Sequence, residues 1–155
     1  MKPITMGNAG LELKCRWYDV DVLEISVSAS NTAFSGSAFP YVSLDHLAEA
    51  AVILDGFPRD TSDTRELRFG TPGEGFAGGF VRLIFSCRDL SGHGVVEVEI
   101  ESKNESQPEN SWIQASQTSH FFAGVEANAV DDFVKELRLL SETKNGAAWL
   151  TFSST

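Results

Sequence analysis

Three histidines, His46, His93 and His120, and 22 carboxylates against 12 basic side chains are the groups in this chain that could do chemistry. A transition-metal site needs three or four imidazole, thiolate or carboxylate ligands, and its usual motifs place two of them within a helical turn or a short loop. None of the histidines has a partner at that spacing, so neither a metal nor a cofactor is expected. The carboxylate pairs Asp19 with Asp21 and Asp131 with Asp132 lack the ligand spacing of a calcium loop. The second pair reads as a helix start, where acids meet the positive end of the helix dipole. Neither a nucleophile elbow nor a catalytic-cysteine context occurs. Enzymatic activity is therefore not expected. It would require two or three of Asp19, Asp21, His93, His120 and Glu126 to converge in one cleft.

Gly73-Glu74-Gly75-Phe76-Ala77-Gly78 matches the dinucleotide pattern GxGxxG. That pattern works between a strand and a helix whose N-terminus receives the pyrophosphate. Phe80 to Phe85 follows instead, with the apolar, β-branched character of a strand, so the glycines read as a loop.

The residues that point to binding are of two kinds. Glu97, Glu99 and Glu101 alternate with Val96, Val98 and Ile100, which puts three carboxylates on the outer face of one strand. Tyr18, Phe39 and Tyr41 fall opposite the apolar or small faces of early strands, where they form an exposed patch or line a cavity. Exposed aromatic side chains are frequent interface anchors.

Elements that would position these residues can be read from periodicity. Leu11, Leu13, Cys15 and Trp17 alternate with polar residues, as do Leu23, Ile25, Val27 and Ala29, which predicts a hairpin turning at Asp19–Asp21. A third strand runs from Phe34 to Val42, weakened by Gly36 and Pro40. Ser43 is the expected N-cap of a helix carrying Leu44, Leu47, Ala48, Ala51 and Leu54, stopped by Gly56 and Pro58. Phe57 should enter the core beneath it. A short strand covers 65–69. Phe80–Arg88 and Val95–Ser102 form a second hairpin, and Lys103–Asn110 is an exposed loop. A strand region spans Trp112–Gly124. Asn128 caps a second helix with Val130, Phe133, Val134 and Leu137 on one face, ending at Asn145-Gly146. Ala148–Phe152 is a last strand or a packed tail.

The expected fold is α+β: a curved, mainly antiparallel sheet of about seven or eight strands with two amphipathic helices packed on it. The whole chain, 1–155, reads as one domain with 1–10 a loose lead-in.

A net charge of −10 disfavours nucleic acid and anionic membrane surfaces, both of which call for lysine and arginine. It suits solubility and, as a partner, a basic protein. No signal segment and no membrane-length apolar run is visible, which gives a cytoplasmic expectation. Cys15 and Cys87 are far apart in apolar runs and read as buried free thiols. The sequon at Asn104-Glu105-Ser106 has no meaning without secretion. A homodimer is compatible, through an unpaired strand edge or the aromatic patch.

Trp17-Tyr18-Asp19, Leu23-Glu24-Ile25-Ser26-Val27, Gly56-Phe57-Pro58 and Phe85-Ser86-Cys87-Arg88-Asp89 followed by Gly92-His93 together resemble a group of small, acidic, uncharacterised bacterial proteins. The likeness covers residues 11–140. Members of such groups are suspected to be immunity proteins of polymorphic toxin systems, and the resemblance implies a bacterial, cytoplasmic setting. It brings no catalytic residues. The function expected is a non-enzymatic protein-binding module that neutralises a basic toxin domain through an acidic surface. The alternative is a small-ligand domain with an apolar pocket, flapped by the glycine-rich loop at 70–79.

Overall fold

A computed structural model describes residues 8–73, 78–103 and 116–153. Four strands come first: β1 (Gly10–Tyr18), β2 (Leu23–Ser30), β3 (Ser35–Ala38) and β4 (Tyr41–Val42). Helix α1 (His46–Leu54) follows, then β5 (Thr64–Gly70), β6 (Phe80–Cys87), β7 (His93–Lys103) and β8 (Ser116–Glu126). Helix α2 (Ala127–Thr143) and β9 (Ala147–Thr151) complete the described chain. The α+β class is borne out, and all pairings are antiparallel.

The strands divide into two sheets rather than one. The first has the order β3-β2-β1-β9, with β4 also on β2; the second has the order β5-β6-β7-β8. Their inner faces meet in one apolar core, with Leu11, Leu13, Ile25 and Val27 on one side and Leu67, Leu83, Val98 and Ile100 on the other. Among the described residues, one isolated β-bridge, Gly124 to Ser153, links β8 to the end of β9. Opposite it, β3 approaches β7 and β8 so closely that a Cβ on Gly36 would stand 2.9 Å from Ser119 Cβ. Glycine is the residue that fits there.

Three local causes shape the first sheet. Pro40 splits the expected third strand into β3 and β4, and its carbonyl takes the Ile25 N–H at 3.0 Å. Pairing slips at Arg16: Cys15 faces Ile25, but Trp17 faces Glu24. This bulge moves Trp17 off the apolar face and leaves it 51% exposed. Gly10, placed in the lead-in by sequence, already belongs to β1; residues 1–7 lie outside the described residues.

Helix α2 buries the expected stripe, whereas in α1 Leu44 precedes the helix, Ala48 is half-buried and Ala50 takes its place in the core. The buried residues of α1 are Leu47, Ala50, Ala51 and Leu54; those of α2 are Val130, Phe133, Val134, Leu137 and Leu140. Both helix starts differ from expectation. Asp45, not Ser43, occupies the N-cap of α1, and Glu126, not Asn128, that of α2; neither caps through its side chain. Phe57 is buried, edge-on to Phe85 at 5.8 Å. Arg65 anchors the end of α1, donating to Ile53 O and Asp55 O at 2.9 and 2.7 Å while pairing with Asp63. Both cysteines are free and half-buried.

Outward-pointing groups on several sheet edges are taken by single partners. His46 Nε2 contacts Arg68 O on β5, Asn31 Nδ2 donates to Phe122 O on β8, and Glu136 Oε1 accepts the Trp149 N–H on β9. Among the described residues, no helix is long and apolar enough to cross a membrane.

Candidate functional site

Glu97, Glu99 and Glu101 do share the outer face of β7, half-buried. Basic side chains, however, reach them from β7 itself and from diagonal or facing positions on the adjacent strands. Glu97 Oε2 lies 2.7 Å from His120 Nε2. Glu99 stands in register between Arg82 and His120, in a row that continues to Arg68. Glu101 lies 3.0 Å from Lys103 Nζ and accepts the Gly73 N–H at 3.2 Å. Burial pushes the Glu101 carboxyl up, but the Lys103 hydrogen bond, the Gly73 N–H and the Lys103 charge outweigh it and hold it below the ordinary range. Glu66 joins the same face, contacting Arg68 and Arg82. Arg68, Arg82 and Lys103 therefore offset much of the carboxylate charge on this face, and paired charges project little field.

Tyr18, Phe39 and Tyr41 lie at one end of the first sheet, where the Phe39 N–H donates to Gly78 O at 2.8 Å, next to the Gly79 that packs on the Glu101 carbonyl. Arg16 stacks on Phe39 with its guanidinium 4.1 Å from the ring centroid and lies 3.8 Å from Glu24. Glu24 pairs with Tyr41 on one side and Trp17 on the other, so Trp17, Phe39 and Tyr41 surround one Arg–Glu pair. Tyr18 faces the other way because of the bulge, and Lys144 Nζ sits 5.6 Å from its ring centroid. Tyr18 is 54% exposed, Phe39 38% and Tyr41 37%.

A third place was not singled out by sequence. Between α2 and β9 runs an open cleft of about 290 Å³, lined by Glu126, Asp132, Glu136, Trp149, Phe152 and Ser153 among others. Asn128, Asp132 and Glu136 follow one another at four-residue spacing on α2, which brings them to one stripe of the helix. Trp149 supplies the opposite wall, with Cζ2 3.1 Å from where a Gly10 Cβ would stand. Asp131 and Asp132 are not in the first turn, because α2 begins at Ala127; the dipole explanation for that pair does not hold. Asp132 lines the cleft instead.

Beside the cleft, His93 Nδ1 lies 2.7 Å from Asp89 Oδ2 and Nε2 lies 3.5 Å from Glu126 Oε2. Of the five groups proposed as a catalytic set, His93 and Glu126 thus meet. Asp19 caps the β1–β2 turn through the Asp21 and Val22 N–H groups, and His120 is held by Glu97. Ser141 and Lys144 have the Ser-x-x-Lys spacing, but Lys144 ends α2 in a left-handed conformation and its Nζ donates to Ser141 O at 3.2 Å. Among the described residues no three ligand-type side chains could hold a metal ion. The glycine-rich segment leads into strand β6, not a helix, and its residues 74–77 lie outside the described residues, as do Trp112, the sequon and the 104–110 loop.

Sequence signals for the cleft were present but non-local. Antiparallel register places His93 opposite Glu126, and only the pairing of β7 with β8 reveals it. Comparisons with models of known families, with curated proteins and with solved structures gave no match. The class that the fold defines is an α+β domain of two open antiparallel sheets, carrying an acidic surface cleft beside a long helix.

Proposed function

We propose that this chain is a non-enzymatic protein-binding module whose α2–β9 cleft receives a basic side chain or segment of a partner. The observation that carries this reading is the cleft itself, with Glu126, Asp132 and Glu136 grouped against the indole of Trp149. Carboxylates attract a lysine or arginine head, and an indole is the best aromatic surface for its cation. The net charge of −10 adds long-range steering toward a basic partner. A basic toxin domain, the partner implied by the resemblance to immunity-type proteins, is the specific form of this reading. The aromatic group around Arg16 and Glu24 offers a second anchor at the end of the first sheet.

The volume and lining favour a protruding side chain over an enclosed apolar ligand. Small-molecule sites usually enclose about 300–1,000 Å³ and are mostly apolar. This cleft is at the lower end and open, and although more of its wall is apolar than polar, three carboxylates line it.

A fluorescent lysine-rich peptide, titrated at low and at physiological salt, tests the reading. Saturable binding that weakens with salt, and weakens further in Asp132→Lys, is expected. No binding at low salt, or binding indifferent to Asp132→Lys, would remove the cleft from the account.

A further inference from the structure

We infer that His93 and Glu126 form a proton-controlled latch between the β6–β7 turn and the start of α2, and that this latch sets how much negative charge the cleft presents. The second half rests on the proposed function; the first half does not.

The argument is one of hydrogen-bond polarity. Asp89 Oδ1 accepts the N–H groups of Ser91 and His93 at 2.8 and 3.3 Å, which fixes its carboxylate under the imidazole. Oδ2 then takes Nδ1–H at 2.7 Å. That assigns the Nδ1 proton and leaves Nε2 facing Glu126 Oε2 at 3.5 Å. In a neutral ring Nε2 is an acceptor facing another acceptor, and the contact is repulsive. In the imidazolium Nε2 carries a proton, and the same contact is an ion pair. One proton therefore decides whether Glu126 is held by His93 or released to the cleft that it also lines.

The latch spans two elements that already touch. Gly92 O accepts the Ala127 N–H at 2.9 Å, which gives the first turn of α2 a main-chain cap in place of the side-chain cap it lacks. The other charged side chains on these elements are Arg88, whose N–H donates to His93 O at 2.7 Å, and Asp131 and Asp132 on α2. Asp63, whose carbonyl takes the Cys87 N–H, has its carboxylate on Arg65 and Arg59. The hydrogen bond that His93 donates to Asp89, then the charges of Asp89 and Glu126, raise the His93 titration above the ordinary histidine value. Because the folded value is raised, the latch is complete below the ordinary range near pH ~6.5 and is lost as pH rises through the folded value.

Imidazole resonances of the full chain, followed by NMR across neutral pH, test the latch without any ligand. Glu126→Gln should lower the His93 midpoint by about 0.3–0.7 pH unit, the size expected of an exposed ion pair. Exchange of the Ala127 amide, corrected for intrinsic base catalysis, should speed by about twofold to threefold through the midpoint, with no such step in His93→Gln. An unmoved midpoint in Glu126→Gln, or an exchange profile identical in His93→Gln, overturns the latch. The lysine-rich peptide then reads the charge: its affinity should rise about twofold to threefold through the midpoint in the native chain and stay flat in His93→Gln. Equal pH profiles in the two proteins overturn the control of the cleft. Absence of peptide binding at every pH overturns the proposed function and with it that control, while the His93 midpoint still decides the latch.

Discussion

The ladder on β7 and the cleft on α2 contain the same chemical groups in opposite electrostatic states. Glu97, Glu99 and Glu101 stand among Arg82, Lys103 and His120, brought by neighbouring strands and by β7 itself. Asp132 and Glu136 stand on a helix face whose neighbours are Asn128, Trp149 and Ser153. The difference teaches that an acid's role is set by what lies across the pairing register, not by how many acids share a run. A sheet face supplies cross-strand partners at about 5 Å. The helix stripe over the groove supplies no cation, and the facing strand β9 brings only the Trp149 N–H, which Glu136 accepts.

The largest effect should come from removing the support of the cleft rather than its charge. Phe133 is fully buried beneath α2, and Phe133→Ala should cost about 3–5 kcal/mol in denaturant or thermal unfolding. A loss under ~1 kcal/mol would mean that α2 is not held to the sheets as described. Next in size is a matched pair of charge reversals. Asp132→Lys should weaken the lysine-rich peptide about tenfold, roughly 1.4 kcal/mol, while Glu99→Lys leaves it within about twofold. Equal effects of the two reversals would erase the distinction between the regions. Glu99→Lys should instead appear as a stability loss of about 0.2–1 kcal/mol, since it places a third cation in the row of Arg82 and Arg68.

The smallest effect concerns Glu101. Its depressed carboxyl contributes stability that is present above the ordinary glutamate range and is lost as pH falls through the folded value. Glu101→Gln should cost about 0.5 kcal/mol at neutral pH and flatten that part of the acid limb. Equal acid limbs in pH-dependent unfolding would show that Lys103 and Gly73 do not hold it.

Much of the scaffold was legible because its signals are local. The alternations of Leu11–Cys15, Leu23–Ala29 and Val96–Glu101 each survive as a strand, and Val130–Leu137 survives as a buried helical stripe. Features that depend on distant partners were not. Trp17 continues the apolar alternation on paper, yet one extra residue at Arg16 moves it to the opposite face. The division into two sheets depends on how β9 pairs with β1 across the length of the chain. The hydrogen-bond partner of Glu97 is His120, 23 residues away. The cleft was hidden for the same reason, since Glu126, Asp132 and Trp149 belong to three consecutive elements that meet only after α2 folds back on β9.

The single side chains that occupy strand edges have a consequence beyond the fold. A bare edge is a template on which another chain can add a strand, and repeated addition leads to fibrillar assembly. Asn31, Glu136 and His46 each take one main-chain group that such an incoming strand would need. They act as stoppers at those positions, since an incoming strand would have to displace each of them before it could pair there.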